Sequence, residues 1–229
     1  MAKDFTLGIL MRDVKYQRAL GDAGNPKSYP FPVRRKAVWD PNQSFIHADQ
    51  KVLPLFIQAA KELEKEGVNM IITTCGFLVI FQDELANAVK IPVISSSLLQ
   101  VPLVYRIFRS RVGIITANAK ELGTDRLKAA GAEGIPIAVE GLESKKYFSE
   151  GILQNGNELN IKKIGEEVVE VAQTLLSKYP DTGAFVLECH NLPPYSKLVQ
   201  QATGRPVFDI LSLVESTYRG MVERTYEGI

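Results

Sequence analysis

Two periods of apolar and polar positions alternate along the chain. Phe5 to Met11 and Val33 to Trp39 are short, mainly apolar runs that predict strands. Between them Gly21-Asp22-Ala23-Gly24-Asn25-Pro26 carries turn formers and predicts a loop. From His47 to Glu66, Val52, Leu55, Phe56, Ala59, Ala60 and Leu63 recur at helical spacing, and Gly67 ends that helix. Val68 to Thr74 predicts a buried strand, Phe77 to Val89 a helix, Pro92 to Ser95 a strand and Leu98 to Phe108 a helix. The order then restarts. Arg111 to Thr116, Ile135 to Val139, Ala184 to Glu188 and Pro206 to Phe208 predict strands. Ala119 to Ala130, Ile161 to Ser177, Pro193 to Ala202 and Leu211 to Tyr226 predict helices. Strands that alternate with helices imply a parallel α/β protein.

The restart is a repeat. Cys75 follows Met70-Ile71-Ile72-Thr73-Thr74, and seventeen residues later stands Pro92-Val93-Ile94. Cys189 follows Phe185-Val186-Leu187-Glu188, and seventeen residues later stands Pro206-Val207-Phe208. Tyr105-Arg106 comes thirty residues after Cys75, and Tyr218-Arg219 twenty-nine after Cys189. A cysteine, a prolyl-valine strand and a Tyr-Arg pair at matched spacing point to one α/β unit duplicated.

Composition narrows the field. In 229 residues, 45% hydrophobic, there is material for one large core or two small ones. Charge nearly balances at +1, from 27 basic against 26 acidic residues, and the densest basic tract, Arg34-Arg35-Lys36, is three residues long, so no nucleic-acid partner is expected. The opening Met1-Ala2-Lys3-Asp4 and the apolar run after it lack the shape of a signal peptide, and no run reaches the ~18 residues of a membrane helix. A cytoplasmic protein without a membrane partner is expected. Two cysteines make no disulfide framework in a reducing compartment. They are too few for a structural zinc site, and His47 and His190 lack ligand spacing, so no metal is expected.

Chemistry concentrates on those two cysteines. Each ends a strand and opens a strand-to-helix turn, the place where open parallel sheets bind ligands. A helix N-terminus there would lower the thiol pKa from its usual ~8.5, and its free amides would take a carboxylate. Gly76 allows close backbone approach after Cys75, and Pro193 is a first-turn helix residue after Cys189. Units related by a pseudo-twofold axis would oppose the two thiols across a cleft, one removing a proton and the other delivering one, without a cofactor. The alternatives for a cysteine are a small buried hydrophobe and, for the pair, a disulfide.

Thr73-Thr74-Cys75-Gly76 and Glu188-Cys189-His190-Asn191-Leu192-Pro193-Pro194-Tyr195, set in two α/β halves, resemble the aspartate/glutamate racemase superfamily. That group also holds hydantoin racemases, maleate isomerases and arylmalonate decarboxylases. The resemblance implies two pseudo-symmetric Rossmann-like or flavodoxin-like domains with parallel sheets, residues 1–97 plus 210–229 and residues 98–209, and an active site in the cleft between them. The last helix would return to the first domain and Leu98 to Phe108 would cross to the second. The resemblance also implies a cofactor-independent homodimer. Cys75 and Cys189 would be catalytic in a racemase or epimerase of an amino acid or related carboxylate. A hydantoin racemase, a maleate-type cis-trans isomerase and a non-enzymatic binder of small acids are the alternatives; a decarboxylase needs only the second thiol and is disfavoured.

Around the thiols the chain departs from the amino-acid racemases. Gly76-Phe77 stand where Asn-Thr is usual, His190-Asn191 where Thr-His or Thr-Glu is usual, and the first strand ends Met11-Arg12-Asp13. Arg12, Thr74, Gly76, Phe77, Thr116, Asn118, His190 and Asn191 are the expected substrate-binding residues. Arg12 either grips an anion or stands on the surface, and Thr116 and Asn118 either meet substrate or cap the helix from Ala119. His190 would bond substrate or support the Cys189 thiolate. Phe77 and Tyr195 either line the pocket or pack in the core, and His47 starts a helix. These departures leave the substrate open.

Overall fold

A computed structural model describes residues 5–12, 14–38 and 50–222; Asp13, Trp39, His47 and the expected helix end at Tyr226 lie outside them. The first sheet is built from β1 (Leu7–Met11), β2 (Val33–Ala37), β3 (Met70–Thr73) and β4 (Val93–Ile94), in the order β2-β1-β3-β4, all parallel. The crossovers from β2 to β3 and from β3 to β4 run through α1 (Leu53–Lys65) and α2 (Gln82–Ala88). After α3 (Val101–Phe108) the second sheet follows, from β5 (Arg111–Thr116), β6 (Ile137–Gly141), β7 (Thr182–Leu187) and β8 (Val207–Phe208), in the order β6-β5-β7-β8 and again all parallel. The two orders are the same order, so β3 and β7 hold equivalent central places. The α/β class with two parallel sheets stands as expected.

The strands form where they do because both faces of each sheet are covered. In β1, Leu7 to Leu10 are buried, and all four residues of β3 are buried, as parallel sheets between helices require. The edge strand β2 instead exposes Arg34 and Arg35, and Lys36 pairs with Glu62 of α1, which protects the edge from further pairing. One face of the first sheet packs Leu10 and Ile71 against Phe56, Ala60 and Leu63 of α1. The other packs Leu7, Ile9, Met70 and Ile72 against Ile210 and Val214 of α8 (Ile210–Met221). The second sheet receives Ile164, Val168, Val171 and Leu175 of α6 (Ile161–Lys178) on one face. On its other face Val112, Ile114, Ala184 and Val186 meet Val101 and Val104 of α3. Thus α3 lies on the second sheet and α8 on the first, and each half holds a helix from the other's stretch of chain.

Three of the expected helices differ from the sequence reading. The expected helix from Phe77 is a 3-10 segment, Gly76–Phe81, before α2, and the one from Pro193 is a 3-10 turn, Pro193–Tyr195, before α7 (Ser196–Thr203). The expected helix from Ala119 starts only at Thr124, as α4 (Thr124–Ala129). Between β6 and α6 the chain adds α5 (Lys146–Phe148) and a π turn, Ser149–Leu153, whose mixed pattern shows no helical period over so few residues. No helix among the described residues is long and apolar enough to cross a membrane.

Candidate functional site

Both cysteines emerge at the carboxyl ends of equivalent strands. The Thr73 hydroxyl donates to the main-chain oxygens of Ser95 (2.7 Å) and Cys75 (3.0 Å), which fixes the turn that presents the first thiol. The second turn is held by Leu192 N–H donating to the Cys189 carbonyl, 2.9 Å, and by Ala23 N–H donating to the His190 carbonyl, 3.1 Å. Cys75 is half-buried and Cys189 is 8% exposed; both are free thiols and both line one cavity. Arg12, Thr74, Gly76, Phe77, Asn118 and Asn191 line the same cavity.

Thr116 and His190 do not. The Thr116 hydroxyl instead donates 2.8 Å to Glu188, which does line the cavity. His190 is 1% exposed, with Nδ1 2.8 Å from the Thr73 carbonyl and Nε2 taking Ser97 N–H at 3.4 Å. Those partners make Nδ1 the protonated nitrogen. Its neighbours come from both cysteine turns and from the start of the α3 segment, so it ties the halves together rather than facing a ligand. Asn118 accepts Lys120 N–H at 3.1 Å and caps a turn, not the helix. Tyr195 packs into the second core.

Burial pushes the His190 pKa down from 6.5 to about 4. A base held neutral in this way contributes stability that is fully present above its unfolded pKa and is lost as pH falls through about 4. The contribution is on the order of 3 kcal/mol. Urea unfolding between pH 7.5 and 4.5 should show that loss, and His190→Asn should flatten it. A wild-type slope unchanged by the substitution would remove His190 as the clasp.

The thiols are not activated as expected. The Cys75 pKa is pushed up to about 11 by burial first and by the Glu188 charge second. Main-chain bonding at Phe77, Arg12 and Arg126 pull the other way and do not compensate. Cys189 is pushed well above the usual range by the same two leading causes. The physical reason is that Cys75 heads a short 3-10 segment and Cys189 a bend three residues before another, both inside the protein, where desolvation outweighs the few aligned amides. At rest both groups are thiols.

Several residues of the site were not singled out from sequence. The segment after β1 folds over the cleft, and its Tyr16 and Arg18 line the cavity with Val14. Asp22 is buried behind them. It accepts Arg18 Nη1 (2.8 Å), Gly24 N–H (2.7 Å) and Asn191 Nδ2 (2.6 Å), while Cys189 Sγ lies 3.6 Å from Asn191 Oδ1. A chain of contacts therefore runs from Arg18 through Asp22 and Asn191 to the second thiol. Lys15 N–H donates to Asn155 Oδ1 of the opposite half, and Ile152 and Leu153 of the π turn close the far wall. A useful signal was present: a connection of about twenty residues in a compact α/β unit is usually functional. Glu188 is the other addition, a carboxyl 1% exposed at the end of an apolar strand. Among the described residues no group of three His, Cys, Asp or Glu side chains is placed to hold a metal ion.

Comparison with known proteins separates fold from activity. An arylmalonate decarboxylase matches over 97% of this chain and 96% of its own, with a TM-score of 0.65 and 14% identity. Allantoin racemase from Klebsiella pneumoniae matches over 98% and 91%, with a TM-score of 0.66 and 15% identity. Glutamate racemase from Francisella tularensis matches over 98% and 85%, with a TM-score of 0.55 and 19% identity. The fold is that of the racemase superfamily, as the cysteine motifs suggested. No family model matches the chain.

Sequence relatives correct the functional expectation. A dimethylsulfoniopropionate lyase from Durusdinium sp. clade D is 30% identical over 240 residues, covering 99% of this chain and 78% of the relative. Dimethylsulfoniopropionate lyase 7 from Emiliania huxleyi strain CCMP1516 is 30% identical over 250 residues, covering 98% and 69%. The racemase expected from the cysteine pair is overturned by this kinship. The same two-half scaffold serves decarboxylases and racemases alike, and the cysteine turns alone did not distinguish inversion from elimination. The chain is an enzyme, and it belongs to the dimethylsulfoniopropionate lyase family.

Proposed function

We propose that this enzyme cleaves dimethylsulfoniopropionate or a closely related β-sulfonium carboxylate. The supporting observation is the 30% identity across 99% of the chain to an enzyme of that name, joined to a cavity that holds both thiols. Elimination at such a substrate removes the hydrogen α to the carboxylate. The electron pair of that C–H bond forms the new carbon–carbon double bond, and the pair of the C–S bond leaves with sulfur. The products are acrylate, neutral dimethyl sulfide and a proton. The leaving group departs uncharged and needs no acid, so one base suffices.

The cavity suits both ends of this molecule. Arg12 lines it on the Cys75 side and supplies positive charge for the carboxylate. The aromatic side chains of Tyr16 and Phe77 supply apolar faces for a methylated cation. Asp22, behind Tyr16, is paired with Arg18 and bonded to Asn191, and that pair borders the Cys189 side. A sulfonium delivered between two buried thiols favours the thiolate, because a nearby opposite charge lowers an acid's pKa. In this reading the substrate activates its own base, and the resting thiol state protects the cysteines between turnovers.

The reading is tested by offering the purified protein dimethylsulfoniopropionate and, separately, aspartate, glutamate and a hydantoin. Dimethyl sulfide in the headspace with no change in optical rotation of the others is expected. Rotation loss without sulfide release would overturn the proposal.

A further inference from the structure

The lyase reading leaves the buried carboxyl of Glu188 unused. Glu188 precedes Cys189 directly, and its carboxyl also packs on the residue after Cys75. A Cβ built at Gly76 would lie 2.2 Å from Glu188 Oε1 and 2.3 Å from its main-chain oxygen. The carboxyl is therefore wedged between the two cysteine turns. Oε2 accepts the Thr116 hydroxyl at 2.8 Å, while the residue also lines the cavity wall that the thiols share. The strand before it is apolar, and the carboxyl is met there by the Thr116 hydroxyl, the Ala117 N–H and the charge of Arg126. Burying an ionisable group there is costly unless its proton is used.

We propose that Glu188 is the proton relay of the site: its carboxylate takes the proton of the reacting cysteine before the α-hydrogen is removed, and gives that proton to water once products leave. The inference rests on the lyase reading. The step balances. Cysteine thiol and carboxylate become thiolate and carboxylic acid. The thiolate then takes the α-hydrogen and becomes thiol again, and the carboxylic acid releases the one proton that the overall elimination produces. Glu188 touches neither bond that breaks and acts through the thiol.

Its surroundings fit that task. Burial raises the Glu188 pKa to about 7, with the Thr116 hydroxyl, the Ala117 N–H and Arg126 opposing. It therefore exchanges protons near neutrality, where neither thiol ionises on its own. The groups facing the cluster are Cys75 from the end of β3, Cys189 beside it, Arg126 from α4, Arg12 from the end of β1 and Asp22 from the covering loop. His190 stays neutral above about 4 and Tyr16 stays protonated up to about 12, so neither titrates in the working range. Because the carboxylate is the active form, kcat/KM should rise with pH through about 7.

The test pairs turnover with thiol reactivity in Glu188→Gln and Thr116→Val. In the glutamine variant, kcat/KM should fall by about 100-fold or more and lose its acid limb. Alkylation of the cysteines by iodoacetamide should meanwhile shift to lower pH, because the negative charge that disfavoured thiolate is gone. Slower turnover with more reactive thiols is the signature of a relay, which a merely structural residue would not give. The valine variant, lacking the bond that favours the carboxylate, should keep its activity at high pH and carry its acid limb to higher pH. Glutamine turnover within about threefold of wild type, or a valine limb at the wild-type position, overturns the relay. Should the wild type release no dimethyl sulfide, the substrate reading fails separately. Alkylation profiles identical in wild type and Glu188→Gln would then overturn the coupling without any substrate.

Discussion

Replacing one of the two cysteines by serine is expected to slow dimethyl sulfide release by about 10³-fold, and replacing the other by about tenfold or less. The asymmetry follows from the chemistry. Inversion of a carbon centre needs a proton-transfer group on each face, so a racemase loses activity with either substitution. Elimination needs a base on one face only. The second thiol then shapes and desolvates the cavity, and serine fills nearly the same volume. A hydroxyl is a far weaker acid than a thiol, so serine at the base position cannot be brought to its anion by a sulfonium nearby. Steady-state rates of Cys75→Ser and Cys189→Ser, measured side by side at pH 8, decide the matter. Equal losses of about 10³-fold in both would show that each thiol moves a proton.

Gly76→Ala is expected to be nearly as damaging, for a steric reason. The added methyl group would meet Glu188 Oε1 at 2.2 Å and the Glu188 main-chain oxygen at 2.3 Å, both inside any tolerated contact. The carboxyl could swing aside, but the carbonyl belongs to the end of β7 and is fixed by Glu188 N–H donating 2.8 Å to Ile115 of β5. Relief must come from separating the two cysteine turns. Overpacking of this kind costs about 1–3 kcal/mol of stability, and a displacement of about 1 Å between reacting groups costs about 10²-fold in rate. Urea unfolding and turnover together measure it. An alanine variant with wild-type stability and rate would show that the turns do not press on each other here.

Much of this was legible in the sequence because it rests on patterns the chain must carry. Buried parallel strands have to be apolar throughout, which is why Leu7 to Leu10 and Met70 to Ile72 stand out. Duplication leaves matched spacing, which brought Cys75 and Cys189 to equivalent strand ends. The thiol environment was not legible. Whether a cysteine at a strand end sees a helix dipole or a dry pocket depends on the next ten residues' exact hydrogen bonding, and Gly76–Phe81 winds as a 3-10 segment pressed into the second half's core. Local pattern likewise hid the role of His190, whose partners Thr73 and Ser97 are remote in sequence, and the place of Tyr16 and Arg18, which reach the cleft on an irregular loop with Asp22 behind them. Glu188 was visible as a charge at the end of an apolar strand, but only the packing against Gly76 gives it a place between the thiols.

Activity was the least legible layer, since α-proton removal is common to racemisation and elimination and differs in what leaves. The most direct measurement is proton NMR of dimethylsulfoniopropionate incubated with the wild-type protein and with the Cys75→Ser/Cys189→Ser double variant. The wild type should produce the vinyl signals of acrylate and the singlet of dimethyl sulfide in equal molar amounts, and the double variant should produce neither above the buffer control. Acrylate formed by the double variant at the wild-type rate, or none formed by the wild type, would contradict a thiol-based lyase.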